Sequence, residues 1–497
     1  MGVQRPHAQT EDIGYLSAAD LSKGLESGNL TSEAVVLRLM ERIEAIDAPG
    51  TATEVRAVLD LNADAVRTAR QLDSARQHGE LRGPLHGIPV MVKDNIEVQG
   101  MRATAGSLAL DAGPCTNDAV LVSRLRDAGA VILATTNLSE WANIRSSRST
   151  SGWSAVGGLV GNPWALDRSA GGSSSGSGAA LAAGFTPLAV GTETDGSITC
   201  PASLNGVVGI KPTVGVVPTV GVVPISSSQD APGAMARTVD DAAVLLGVLS
   251  GDSHLVERSA KVDAGDLRIG IARNWFTGHA RVDELAMSTL GDCSALFAAI
   301  NDDGVPAPDN AVGDDEYEVL MCELLDDLNA YLAGRSNSHV ASLDDVLSFN
   351  RLHADKELHR FGQELFERSA ASGGRGSQKY VEARTRNLAW AINECFAPAF
   401  SRCDVLVAPA YMPAWKSDFS IGHPDAGGIV TSPAAIAGFP IVTIPCGLVD
   451  GLPIGMSFVG PARSEAVLIA AAKSVEKTLN LSPQSGWMPN FVPPTRG

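Results

Sequence analysis

The chain has 497 residues, 44% hydrophobic and 19% charged, the balance of a globular protein long enough to bury a large core. Its formal net charge of -18 argues against direct binding to nucleic acid or to an anionic membrane surface. No run of about 18 apolar residues occurs, which argues against a membrane span; with neither HExxH nor another metal-ligand cluster, a metal site is not expected either.

The first 16 residues, MGVQRPHAQTEDIGYL, are polar and lack the apolar centre of a signal peptide, so a cytoplasmic protein is expected unless a leader was removed. Seven cysteines, odd in number and without a CxxC pair, fit scattered reduced thiols. Within an N-terminal helical region, 1–80, Thr31-Ser32-Glu33 reads as a helix start, and Val36, Leu39, Met40, Ile43 and Ile46 follow at helical spacing. From 85 to 250 the chain turns rich in Gly, Ser, Ala and Val. Residues 88–92, 131–134 and 188–191 read as buried strands, and 118–128 as a helix with Val120, Leu121 and Leu125 on one face. That alternation argues for an α/β fold with a largely covered sheet. Thr238 and Asp241 open an apolar helix that stops at Gly251. Residues 252–400 are more charged and read as a helical insertion or cap, with helices at 317–332 and 363–369 and an acidic surface loop at 302–315. Over 401–497, strands return at 404–408, 441–445 and 453–459, the last two joined across Val449-Asp450-Gly451, so the sheet is completed late in the chain.

Three segments carry candidate chemistry. In GIPVMVKDN (87–95), Lys93 directly follows an apolar strand; such a lysine either snorkels to water or stays buried for a purpose. In SAGGSSSGSG (169–178), Ser173 lies in a Gly/Ser run just before a helix; it reads as a flexible linker or as a tight functional loop, and it lacks the lysine of a phosphate loop. In GTETDGSI (191–198), Ser197 follows a glycine in a turn after a strand, either an ordinary turn or one whose backbone N–H groups converge on an oxyanion.

Together, the spacing of these segments resembles the amidase signature family. The likeness continues through NGVVGIKPT (205–213), 404–409 and 451–460. Within that family the wording NLSEWAN (137–143), SGWS (151–154) and GTETDGSITCP (191–201) is similar to the bacterial peptide-amidase branch, which shares Glu193 and Asp195 where most members carry Asp and Gly. Ala234 stands where relatives usually carry Pro. The resemblance implies one large α/β domain with a central mixed, twisted sheet covered by helices on both faces. It implies Lys93 as base, Ser173 as a relay held by a cis peptide bond, and Ser197 as nucleophile.

The chemistry then expected is amide hydrolysis through an acyl-enzyme, removing the C-terminal amide of peptides with release of ammonia. Neutral Lys93 accepts a proton from Ser173, Ser173 accepts one from Ser197, and the backbone N–H groups of Thr194, Asp195, Gly196 and Ser197 receive the oxyanion. Lysine acts as a base only when burial lowers its pKa towards ~7–8. Ser174 and Thr192 stand beside these groups, as partners of the lysine or relay or as local turn stabilisers. The side chain of Asp195 could orient a substrate N–H. No cofactor is required; the partner is a small-molecule or peptide amide, and monomer and homodimer both remain open. The alternatives are hydrolysis of aryl or acyl amides or carbamates, a glutamine-hydrolysing component of an amidotransferase, and an inactive binding or scaffold protein.

Overall fold

The computed structural model describes residues 12–422, 424 and 426–491; the polar stretch 1–11 lies outside them. Among the described residues, eleven strands form one mixed sheet. In chain order these are β1 (Val58–Leu61), β2 (Pro89–Lys93), β3 (Val131–Thr136), β4 (Leu188–Glu193), β5 (Val208–Lys211), β6 (Ala231–Ala236), β7 (Arg268–Ala272), β8 (Ala299–Asp303), β9 (Val405–Pro409), β10 (Ile441–Val449) and β11 (Leu452–Val459). Across the sheet they run β1-β3-β2-β4-β6-β5-β10-β11-β9-β7-β8. β2 is parallel to both β3 and β4, the middle of the sheet is antiparallel, and β9, β7 and β8 are parallel again. Helices flank the sheet in a single large α/β domain. β2, β3, β4, β5, β6 and β9 are buried at every residue, as runs of Val, Ile, Leu and Ala covered on both faces must be.

The helix read from Thr31 runs Ser32–Asp47; the Thr31 hydroxyl accepts from Ala34 N–H, and Val36, Leu39 and Ile43 are buried. Thr238 and Gly251 cap Val239–Ser250 as expected, the glycine in the left-handed conformation. Three expectations need correction. The helix placed at 118–128 is Val120–Asp127; it buries Leu121, Val122 and Leu125, while Val120, its first residue, stays exposed. Residues 252–400 are not purely helical: β7 and β8 extend the central sheet. β7 is short and interrupted by Gly270, and β8 reads AINDD, a half-polar edge, so neither shows an apolar run. The 302–315 stretch is not one loop: Asp302 and Asp303 end β8, Asp303 is buried against Arg402 at 2.7 Å, and the helix Asn310–Gly334 starts after its N-cap, Asp309.

That long helix, with Leu343–Leu352 and Glu364–Ala370, has its own core of Leu320, Leu324, Leu328, Val346 and Phe366. It closes against Trp141, Ile144 and Ile225 of the strand-rich part, with Trp141 edge-on to Phe366 at 5.4 Å. This layer forms one wall over the sheet edge where β2 and β4 end.

Candidate active site

β2 and β4 lie side by side and parallel, with Val92 opposite Val190, so their C-terminal ends reach the same edge. Ligand sites in open α/β sheets form at such edges. Lys93 is the last residue of β2, and residues 194–197 make the turn that follows β4.

The Gly/Ser run is no flexible linker. After Gly171 and Gly172 the chain enters the fully buried helix Ser175–Ala182. A Cβ on Gly176 would lie 2.4 Å from the Asn137 carbonyl oxygen and 2.5 Å from that of Ala57, so only glycine lets the helix start seat there. The Gly172–Ser173 peptide bond is cis. Ser173 is completely buried and its Oγ lies 2.8 Å from Lys93 Nζ.

Lys93 is also fully buried. Its Nζ contacts Thr192 Oγ1 at 2.8 Å and the Thr192 carbonyl at 3.2 Å. Burial pushes its pKa down to about 7, against the opposing pull of the Asp230 and Glu193 carboxylates. A neutral amine has two N–H groups and one lone pair. The Thr192 carbonyl can only accept, and Thr192 Oγ1 already sits beside Asn95 Nδ2 at 3.0 Å. With both N–H groups directed at Thr192, the lone pair is left for the Ser173 hydroxyl, the direction a base requires.

Ser174 does not bond to the lysine or to the relay. Its Oγ donates to the Thr192 carbonyl at 3.1 Å, and its N–H donates to the Ser197 carbonyl at 3.1 Å. It joins the relay segment to the nucleophile segment through their backbones. The hydroxyls of Ser173 and Ser197 are not hydrogen-bonded to each other, so the structure assembles the lysine–Ser173 half of the constellation and leaves the last link open. Nucleophile–base bonds of this kind often tighten only in the substrate complex.

Ser197 is 8% exposed and opens onto a cavity of about 420 Å³. Among the described residues, no protein acceptor takes the backbone N–H groups of Thr194, Asp195, Gly196 and Ser197. The next two, of Ile198 and Thr199, both donate to Glu193 Oε2 at 2.7 Å. Glu193 thereby anchors the start of the helix Thr199–Asn205, while the four preceding amides stay available to an anion. Gly196 has φ +79°, and a Cβ there would come into collision with the Tyr411 hydroxyl, 2.3 Å away. Thr194 Oγ1 donates to Asp230 Oδ1 at 2.6 Å, which fixes the start of the turn.

Sequence spacing alone does not give Glu193, Asn95, Asp230, Glu316 or Tyr411 a place in the site. Asn95 lies inside the motif that carries Lys93, two residues beyond it. Asp230, Glu316 and Tyr411 come from distant segments, and only the fold brings them to the turn.

The comparisons agree with this geometry. A family described as Amidase matches residues 34–469. The solved structure of native peptide amidase from Stenotrophomonas maltophilia is 38% identical with a TM-score of 0.87, covering 96% of this chain and 98% of that one. A structure of peptide amidase PAM with the competitive inhibitor chymostatin is 39% identical with a TM-score of 0.88, covering 96% and 99%. A glutamyl-tRNA(Gln) amidotransferase polypeptide of Natranaerobius thermophilus is 31% identical over 95% of this chain and 98% of its own length.

Proposed function

Because the chain belongs to the amidase family and is a hydrolase acting on amides, we propose that it removes the C-terminal amide of peptides: a peptide carboxamide and water become a peptide carboxylate and ammonium. The observation that carries this reading is the cavity beside Ser197. Its charged lining residues are Asp195 and Glu316, and among the described residues no lysine, arginine or histidine lines it. Glutamine would bring a free α-carboxylate with no cation to receive it, and like charges brought together in such a site cost several kcal/mol. A peptide amide brings only neutral groups to the bond being cut.

In this scheme neutral Lys93 takes the Ser173 proton as Ser173 takes that of Ser197. The Ser197 oxygen attacks the carbonyl carbon, and the amides of residues 194–197 hold the oxyanion. The proton returns through Ser173 to the departing nitrogen, ammonia leaves, and water repeats the cycle on the acyl-enzyme.

The test is ammonia release from N-acyl amino-acid amides, dipeptide amides, anilides, carbamates and glutamine. Peptide amides are expected to exceed glutamine in kcat/KM by about 10²-fold, the equivalent of ~2.7 kcal/mol. Equal or faster turnover of glutamine would reject the reading.

The pH profile follows from the same amine. Protonated Lys93 has no lone pair, so kcat/KM for a neutral amide is expected to rise with pH, about tenfold per unit below about 7, and to level off above it. A profile flat from pH 5 to 8 would remove Lys93 as the base.

A further inference from the structure

We propose that Asp195, backed by Glu316, is the specificity determinant of this site: its carboxyl receives an N–H of the scissile carboxamide, and the pair turns carboxylate-bearing molecules away. The inference rests on the amide-hydrolysis reading above and adds the group that recognises the amide nitrogen.

Asp195 stands two residues before Ser197 in the same turn, and both line the cavity. Its Oδ1 is shielded from solvent, and no donor among the described residues reaches it. An acceptor held in that state is built for a donor that arrives with a ligand. The neighbouring carboxyl differs. Glu316, on the helix Asn310–Gly334, accepts from Gln229 Nε2 at 2.8 Å and from Ser432 Oγ at 2.9 Å, so both its oxygens are engaged. The two carboxyls face each other. Burial raises both pKa values, and the Glu316 charge adds to the rise at Asp195, which goes well above the usual carboxylate range. The proton retained between them leaves one Asp195 oxygen turned to Glu316 and the other as a neutral acceptor in the cavity. A carboxamide nitrogen has an N–H to give that oxygen; an ester oxygen has none. The pair keeps one negative charge, and no cationic side chain among the described residues lines the cavity to offset it.

The experiment compares the amide and the methyl ester of one acyl group, with the free acid as inhibitor. Ester hydrolysis uses the same nucleophile and the same oxyanion amides, so damage to the turn lowers both rates together. Asp195→Ala is expected to lower the amide-to-ester ratio of kcat/KM by about tenfold or more. Asp195→Asn, whose side-chain carbonyl replaces the free oxygen while its NH₂ faces Glu316, is expected to stay within about threefold of the parent. Glu316→Gln is expected to tighten inhibition by the free acid about tenfold. Parallel loss of amide and ester turnover in Asp195→Ala, or unchanged acid inhibition in Glu316→Gln, would overturn the proposal. If Asp195→Ala does not fold, a ratio reduced tenfold in Asp195→Asn does the same. Because any acyl group whose amide is hydrolysed can be used, failure of the peptide assignment in the substrate panel leaves this comparison readable.

Discussion

Ser197→Ala is expected to lower kcat for amide hydrolysis by roughly 10⁴- to 10⁶-fold and to leave the fold intact. The expectation of a stable variant comes from the structure. Ser197 Oγ has no hydrogen bond among the described residues, so its removal orphans no partner. The contacts that hold the turn are made by backbone: the Ser197 carbonyl receives Ser174 N–H, and the neighbouring amides of Ile198 and Thr199 are held by Glu193. Circular dichroism and thermal unfolding should therefore match the parent. Covalent labelling by a fluorophosphonate should vanish with the activity. Turnover within tenfold of the parent would remove Ser197 as nucleophile.

Lys93→Met should cost about 10²- to 10⁴-fold in kcat, the usual worth of a general base. Methionine keeps most of the stem, so the packing at the end of β2 survives better than with alanine, which would leave a cavity. The thioether gives nothing to the Ser173 hydroxyl or the Thr192 carbonyl, and a buried acceptor without its donor costs about 1–3 kcal/mol. A modest fall in Tm should thus accompany the large fall in rate. Raising the pH should not restore the variant. Recovery of most of the rate at pH 9 would show that hydroxide suffices and that the amine is dispensable.

The strands nearest the site are the most legible part of the fold, because β2, β3 and β4 are buried on both faces and read as apolar runs bounded by glycine or polar turns. β7 and β8 escape a sequence reading because an edge strand needs only one covered face, and AINDD carries no apolar signature. Of the site, Lys93, Ser173 and the turn before Ser197 are visible because each sits in a short motif with constrained spacing. Sequence leaves the roles of Ser174 and Thr192 open, and the structure separates them: Thr192 meets the lysine directly, whereas Ser174 meets only Thr192 and the Ser197 carbonyl. Glu316 lies 119 residues beyond Ser197 on a helix whose pattern signals packing, and no local spacing ties it to the turn.

The order of strands also bears on how the molecule comes into being. β10 and β11, near the C-terminal end, take central places between β5 and β9. Until they emerge from the ribosome, the growing polypeptide has two half-sheets, each with a bare apolar flank and unpaired peptide groups. Distant pairing of this kind is slow to form and leaves intermediates prone to sticking together. Yield during synthesis should therefore depend less on the well-packed half that bears the lysine than on how promptly the last hairpin is captured.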